Sequence, residues 1–99
     1  MNELEQLQAS AAQAAALLKA MSNPRRLLIL CMLCGAPGTS AGELARATGL
    51  SASATSQHLA RMREEGLIDS IREAQRILYF IKNDAVNQLI STLKTLYCP

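Results

Sequence analysis

Between Ser40 and Gly66 the chain carries two short helix-forming segments separated by a turn of about four residues, and this spacing constrains the fold more than any other feature. Ser40-Ala-Gly-Glu43 has the form of a capping box, in which a hydroxyl and a carboxylate three residues apart satisfy the free N–H groups of a helix start. It opens a helix through Ala47 that Gly49 ends. Ser51 or Ser53 then caps a second helix, which runs to Glu65 and is stopped by Gly66. Only Thr48, Gly49, Leu50 and Ser51 lie between them, and two short helices joined by a glycine-bearing turn are a helix-turn-helix.

The flanking segments complete the pattern. Residues Glu3 to Met21 hold strong helix formers without Gly or Pro, and Leu4, Leu7, Ala11, Ala14 or Ala15, and Leu18 recur at helical spacing. Such a terminal amphipathic helix packs either on a second chain or on its own core. Asn23 and Pro24 start a helix over Arg25 to Cys34 that halts at Gly35, ahead of Pro37. It is apolar on nearly all sides after Arg26, so it is predicted to be the central buried helix. Leu67-Ile-Asp-Ser-Ile71 and Ile77-Leu-Tyr-Phe-Ile81 read as strands, with polar Arg72 to Arg76 connecting them as a hairpin. Asn83 caps a last helix from Asp84 to about Tyr97, with Val86, Leu89, Ile90, Leu93 and Leu96 or Tyr97 on its apolar stripe.

The order α-α-α-α-β-β-α, with the hairpin directly after a helix-turn-helix, predicts a winged helix-turn-helix: mainly α with a small β-hairpin, in one domain over residues 1–99. Hydrophobic residues are 49% of the chain but aromatics only 3%, so the core must be aliphatic, which suits packed helices. The acidic start Met1-Asn-Glu-Leu-Glu is unlike a signal peptide, and no apolar run approaches the roughly 18–20 residues of a membrane span. A cytoplasmic, membrane-free protein is expected, in which three cysteines serve as thiols and not as a disulfide framework. A Cys-x-x-Cys oxidoreductase would need a preceding strand and an exposed helix start, whereas Cys31 falls inside an apolar helix, so no enzyme activity is expected.

The net charge of +2 says little about nucleic acid; any affinity for it must come from local arrangement. In the helix of about Ser53 to Arg63, an advance of about 100° per residue puts Thr55, Leu59 and Met62 on one side. Ser53, Ser56, Gln57, Ala60 and Arg61 take the other. Small side chains let a helix sink into a major groove about 12 Å wide, and Gln57 matches the paired donor and acceptor of adenine. Arg61 and Arg63 lie later on the helix, where phosphate contact is expected, and Arg72, Gln75 and Arg76 of the wing are placed for backbone or minor-groove contact. His58 sits at the boundary of the two faces, for phosphate contact or for packing. The competing reading is an ordinary solvated helix face, or a winged helix that binds protein and not DNA.

Lys19-Ala-Met-Ser-Asn-Pro-Arg-Arg-Leu-Leu-Ile-Leu, Gly42-Glu-Leu-Ala and Leu50-Ser-Ala-Ser-Ala-Thr-Ser-Gln-His-Leu-Ala-Arg-Met-Arg-Glu-Glu-Gly-Leu-Ile resemble the ArsR/SmtB family of bacterial repressors over essentially the whole chain. The resemblance implies a homodimer, paired through its first and last helices, that holds double-stranded operator DNA and releases it on a chemical signal. The metal sites common in that family are missing. Ser40-Ala-Gly-Glu-Leu has no cysteine where the thiolate sensors carry Cys-x-Cys, and the last helix offers Asp84 without a histidine, His58 being the only one. Cys31 and Cys98 instead match the sulfide- and persulfide-responsive branch, which implies redox sensing through a bridge between these two thiols, with reactive sulfur species as inducer. Cys34 reads as a small core side chain, or as a second thiol one turn from Cys31 for a soft metal or for resolving the bridge. No metal or cofactor is expected, with haem at Cys98-Pro99 as the alternative input.

Overall fold

The computed structural model describes residues 2–98. Its elements are α1 (Glu3–Met21), α2 (Pro24–Gly35), β1 (Thr39–Ser40), α3 (Ala41–Thr48), α4 (Ala52–Glu64), β2 (Ile68–Glu73), β3 (Arg76–Ile81) and α5 (Asp84–Tyr97). This is the predicted winged helix-turn-helix with one addition: β1 joins the hairpin, giving an antiparallel sheet of order β1-β3-β2. Two residues carry no readable strand pattern. β1 exists because Gly38 takes a positive φ of 85° and donates its N–H to the Tyr79 carbonyl at 2.8 Å, laying Thr39 against Tyr79 and Ser40 against Leu78.

Local signals set the helix ends. The Asn23 side chain accepts from the Arg25 and Arg26 N–H groups at 2.9 and 3.1 Å, with Pro24 in the first turn. Ser40 Oγ accepts from the Glu43 N–H at 3.2 Å, and Gly49, at φ 74°, ends α3. Ser51 is the cap of α4, accepting from the Ala54 N–H at 3.0 Å, which leaves Ser53 free on the surface. Beyond α4 the Leu67 N–H reaches back to the Met62 carbonyl at 2.9 Å and the Gly66 N–H to Arg63 at 3.1 Å. With Gly66 at φ 78°, this is a Schellman stop, and it turns the chain directly into the sheet.

α2 lies at the centre. Its Ile29, Leu30 and Leu33 are fully buried among Leu44 of α3, Leu59 and Met62 of α4, Leu67 and Ile68 at the start of β2, and Val86 and Ile90 of α5. It is less enclosed than its sequence predicts, with Leu28 exposed and Cys31 and Cys34 half-buried. Among the described residues Thr55 is the one buried polar residue of this core, and its hydroxyl is satisfied by donating to the Ser51 carbonyl at 2.9 Å. α1 packs only through its C-terminal end, where Leu17, Ala20 and Met21 meet the core. The rest projects, leaving Leu4, Leu7 and Leu18 at 54–63% exposure and drawing the molecule out to 50 × 32 × 20 Å.

The hairpin connection is shorter than predicted. Arg72, Glu73 and Arg76 belong to the strands, because Glu73 pairs with Arg76 and only Ala74 and Gln75 turn. Ala74 has φ 57° in the first central position, where a tight hairpin turn ordinarily uses glycine. A Cβ at positive φ costs about 1–2 kcal/mol. Ala74→Gly is therefore expected to raise stability by about 1 kcal/mol in urea unfolding at fixed protein concentration; a loss of stability would show that the turn is not strained.

Candidate nucleic-acid interface and thiol site

Burial divides α4 as its periodicity predicts. Thr55, Leu59 and Met62 are fully buried, while Ser53, Ser56, Gln57, Ala60 and Arg61 are exposed on the opposite side. The exposed surface is small and uncharged until Arg61, so approach of a polyanion to its first two turns meets no bulky or acidic side chain.

The arginines around this surface differ in freedom. Arg63 lies 3.6 Å from Asp69 at the start of β2, an exposed pair worth little energetically. Arg76 is paired with Glu43 of α3, which ties the wing to the helix-turn-helix. That cation, with the Ser40 hydroxyl as the larger influence, holds the Glu43 carboxyl below its ordinary pKa. Arg72 and Gln75 are exposed on the wing. Among the described residues no hydrogen bond or ion pair joins Arg72, Gln75 or Arg76 to α4.

Arg26 is a residue that periodicity did not single out. Its Nη1 donates to the Ala20 carbonyl at the end of α1 and to Glu65 at the end of α4, both at 2.8 Å, and the side chain is 12% exposed. One guanidinium thus joins three helices. The pairing of Arg26 with Glu65 spans 39 residues, so no local pattern marks it. His58 is half-buried at the edge of the exposed face of α4. Burial first, then the charges of Arg26, Arg25 and Arg61, push the His58 pKa below its ordinary 6.5.

The three thiols are free. Cys31 and Cys34 are half-buried one turn apart on α2, and Cys98 is exposed at the C-cap of α5. Burial raises the Cys31 pKa, the Lys94 ammonium pulls it back, and the neighbouring Cys98 and Cys34 thiols push it up again. Lys94 Nζ donates to the Cys31 carbonyl at 3.4 Å, so the end of α5 is drawn onto the second half of α2. Pro99, the second half of the Cys-Pro pair, lies outside the described residues. Among the described residues no three His, Cys, Asp or Glu side chains are grouped to hold a metal, and no helix is long and apolar enough to cross a membrane.

His58 gives a pH signature. The unfolded chain takes up the imidazole proton near pH 6.5 and the folded chain only at lower pH, so between the two the unfolded state binds more protons and stability falls as pH drops. In urea unfolding from about pH 7 to about pH 5, His58→Gln is expected to lose less stability than the parent. A steeper loss in the variant would mean that the folded state welcomes the charged imidazole.

The family model for bacterial regulatory proteins of the arsR family matches residues 23–70. The chain is 81% identical over 99 residues to the HTH-type transcriptional regulator YgaV of Escherichia coli K12, covering 100% of both. It is 45% identical to the transcriptional activator HlyU of Vibrio cholerae, covering 96% of this chain and 87% of that one. The structure of reduced HlyU superposes with a TM-score of 0.89 at 44% identity, over 96% of this chain and 99% of that chain. The homodimeric winged helix-turn-helix DNA-binding domain of Mb0332 from Mycobacterium bovis superposes with a TM-score of 0.77 at 28% identity, over 97% of this chain and 86% of that chain. The chain therefore belongs to the arsR family of bacterial regulatory proteins and is a DNA-binding transcriptional regulator built on a winged helix-turn-helix.

Proposed function

We propose that this protein is a homodimeric, cytoplasmic repressor that inserts α4 into the major groove of its operator and lets go when reactive sulfur bridges Cys31 to Cys98. The observation that carries the DNA half is the exposed face of α4, where Ser53, Ser56, Gln57 and Arg61 stand opposite a fully buried apolar stripe. Ser56 and Gln57 read base edges, Ser53 and Arg61 hold phosphates, and Arg72, Gln75 and Arg76 extend the grip from the wing. Arg63 and His58 flank the contact, Arg63 turned toward Asp69 and His58 partly withdrawn into the fold.

Dimerisation through α1 and α5 accounts for the apolar surface that one copy leaves open. Leu4, Leu7 and Leu18 on α1 and Leu96 and Tyr97 on α5 are 54–78% exposed. An apolar groove of about 470 Å³ runs between α1, α2 and α5, lined by Leu18, Met21, Leu27, Leu89 and Leu93. A second copy seated there hides surface that a monomer of this size leaves wet.

The thiol half rests on the end of α5 lying against α2: Lys94, one helical turn before Cys98, donates to the Cys31 carbonyl at 3.4 Å. A Cys31 thiolate attacks the sulfane sulfur of a persulfide, R–S–SH, displacing RS⁻, which takes the proton, and becomes Cys31–S–SH. The Cys98 thiolate then attacks the inner sulfur and expels HS⁻, so two protein thiols are oxidised to a disulfide while the donor is reduced to RSH and H₂S. Transfer from a second donor before that attack gives a trisulfide by the same accounting, and the added atom relaxes the short span a disulfide demands. The bridge fixes α5 against α2, and α2 carries Arg26, whose guanidinium holds the end of α4. Reaching the reading helix through that strut is how a bond at the thiols lowers DNA affinity. A relative with a structure specified as reduced fits this reading. HlyU is named an activator, so repression here rests on the family resemblance and on where the operator lies relative to the promoter.

Two measurements test the halves separately. In fluorescence anisotropy with promoter DNA at fixed salt, Gln57→Ala with Arg61→Ala is expected to cost about tenfold or more in affinity. Equal affinity would leave a protein-binding winged helix as the better reading. In intact-mass analysis after persulfide treatment, Cys31→Ser and Cys98→Ser are each expected to abolish the intramolecular bridge and Cys34→Ser to keep it. A bridge that survives Cys98→Ser but not Cys34→Ser would assign the resolving thiol to Cys34.

A further inference from the structure

Lys94 stands on the last turn of α5, and each end of the residue is tied to a different cysteine. Its Nζ donates to the Cys31 carbonyl at 3.4 Å, across 63 residues of sequence. Its own carbonyl accepts the Cys98 N–H at 2.8 Å, the bond that caps α5. The same ammonium lies against the final turn of α2, since a Cβ on Gly35 would come within 3.3 Å of Nζ. α2 has no basic residue of its own in its last turn, so its free carbonyls and the negative end of its dipole are met by this lysine from another helix.

Helix capping alone would explain a lysine at this place. One observation goes beyond it: the residue contacted on α2 is Cys31 itself, and among the described residues this ammonium is the charge that opposes the effect of burial on the Cys31 thiol.

We propose that Lys94 is the positioning residue of the thiol pair: its ammonium, held on the Cys31 carbonyl, ties the end of α5 that carries Cys98 to α2 and favours the Cys31 thiolate. A thiolate, not a thiol, is the nucleophile toward sulfur electrophiles, so a fixed cation beside a half-buried cysteine raises the reactive fraction at neutral pH. Cys98 is exposed and so open for the second attack. The proposal rests on the reading of Cys31 and Cys98 as the sensing pair, and it assigns Cys31 as the first nucleophile.

The test uses the full chain with Cys34→Ser and Cys98→Ser, leaving Cys31 as the single thiol and the Cys98 main-chain bond in place. Its alkylation by iodoacetamide is followed across pH in this background and with Lys94→Met, Lys94→Gln or Lys94→Arg added, each checked by circular dichroism. Lys94→Met and Lys94→Gln are expected to move the rate profile to higher pH and to cut the neutral-pH rate by roughly threefold or more. Lys94→Arg is expected to keep the parent profile. A folded Lys94→Gln variant with the parent profile overturns the proposal and leaves Lys94 as a helix cap. Alkylation involves neither DNA nor persulfide, so this outcome is independent of whether the thiols control operator binding.

Discussion

The burial of one face of α2 is the constraint on which the rest of the structure depends. Ile29, Leu30 and Leu33 are removed from water together, and side chains of this type contribute about 1.5–3 kcal/mol each on burial. The helix-turn-helix, the first residues of β2 and the inner stripe of α5 all close on these three residues. Because the interior is aliphatic and close-packed, α2 does not slide without disturbing every neighbour. The residues just outside that face inherit its fixed position. Arg26 meets the ends of α1 and α4, while Cys31 and Gly35 meet Lys94 of α5. The central helix is in this way both the scaffold and an element in touch with the ends of α1 and α4 and with Lys94 of α5.

Charge is sparse on the exposed face of α4 and largely paired around it. A net charge of +2 supplies little general attraction to DNA, and several cations are already matched: Arg26 by Glu65, Arg63 by Asp69, Arg76 by Glu43. What remains open on α4 is a surface of serines and Gln57 with Arg61 further along. Such a surface gains most from close fit and hydrogen bonds at base edges, with phosphate contacts setting orientation. In the proposed dimer those contacts double without a basic monomer.

Much of this was legible in the sequence because the signals are local. Asn23-Pro24, Ser40 with Glu43, Gly49 and Gly66 each end or begin a helix where the backbone geometry requires those residue types. The split of α4 into a buried stripe and a polar face follows from helical spacing alone. The features that escaped are those without a local pattern. β1 is two residues long and depends on a partner strand almost forty positions away. The hairpin turn was concealed because Ala74 occupies a conformation that glycine ordinarily advertises. Arg26 and Lys94 act across 39 and 63 residues, and periodicity carries no information about such pairs. Cys31 and Cys98 stood out only through resemblance; by spacing alone, both read as small apolar residues.

The central claim is that the oxidation state of thiols on α2 and α5 sets the affinity of α4 for DNA. Its most direct test is the operator dissociation constant of one preparation at a single salt concentration, measured reduced, after persulfide treatment, and again after dithiothreitol. Coupling between two sites is typically about 5- to 150-fold. The account predicts a loss of affinity in that range on treatment and its recovery on reduction. An unchanged constant in a sample shown to be bridged between Cys31 and Cys98 would contradict it.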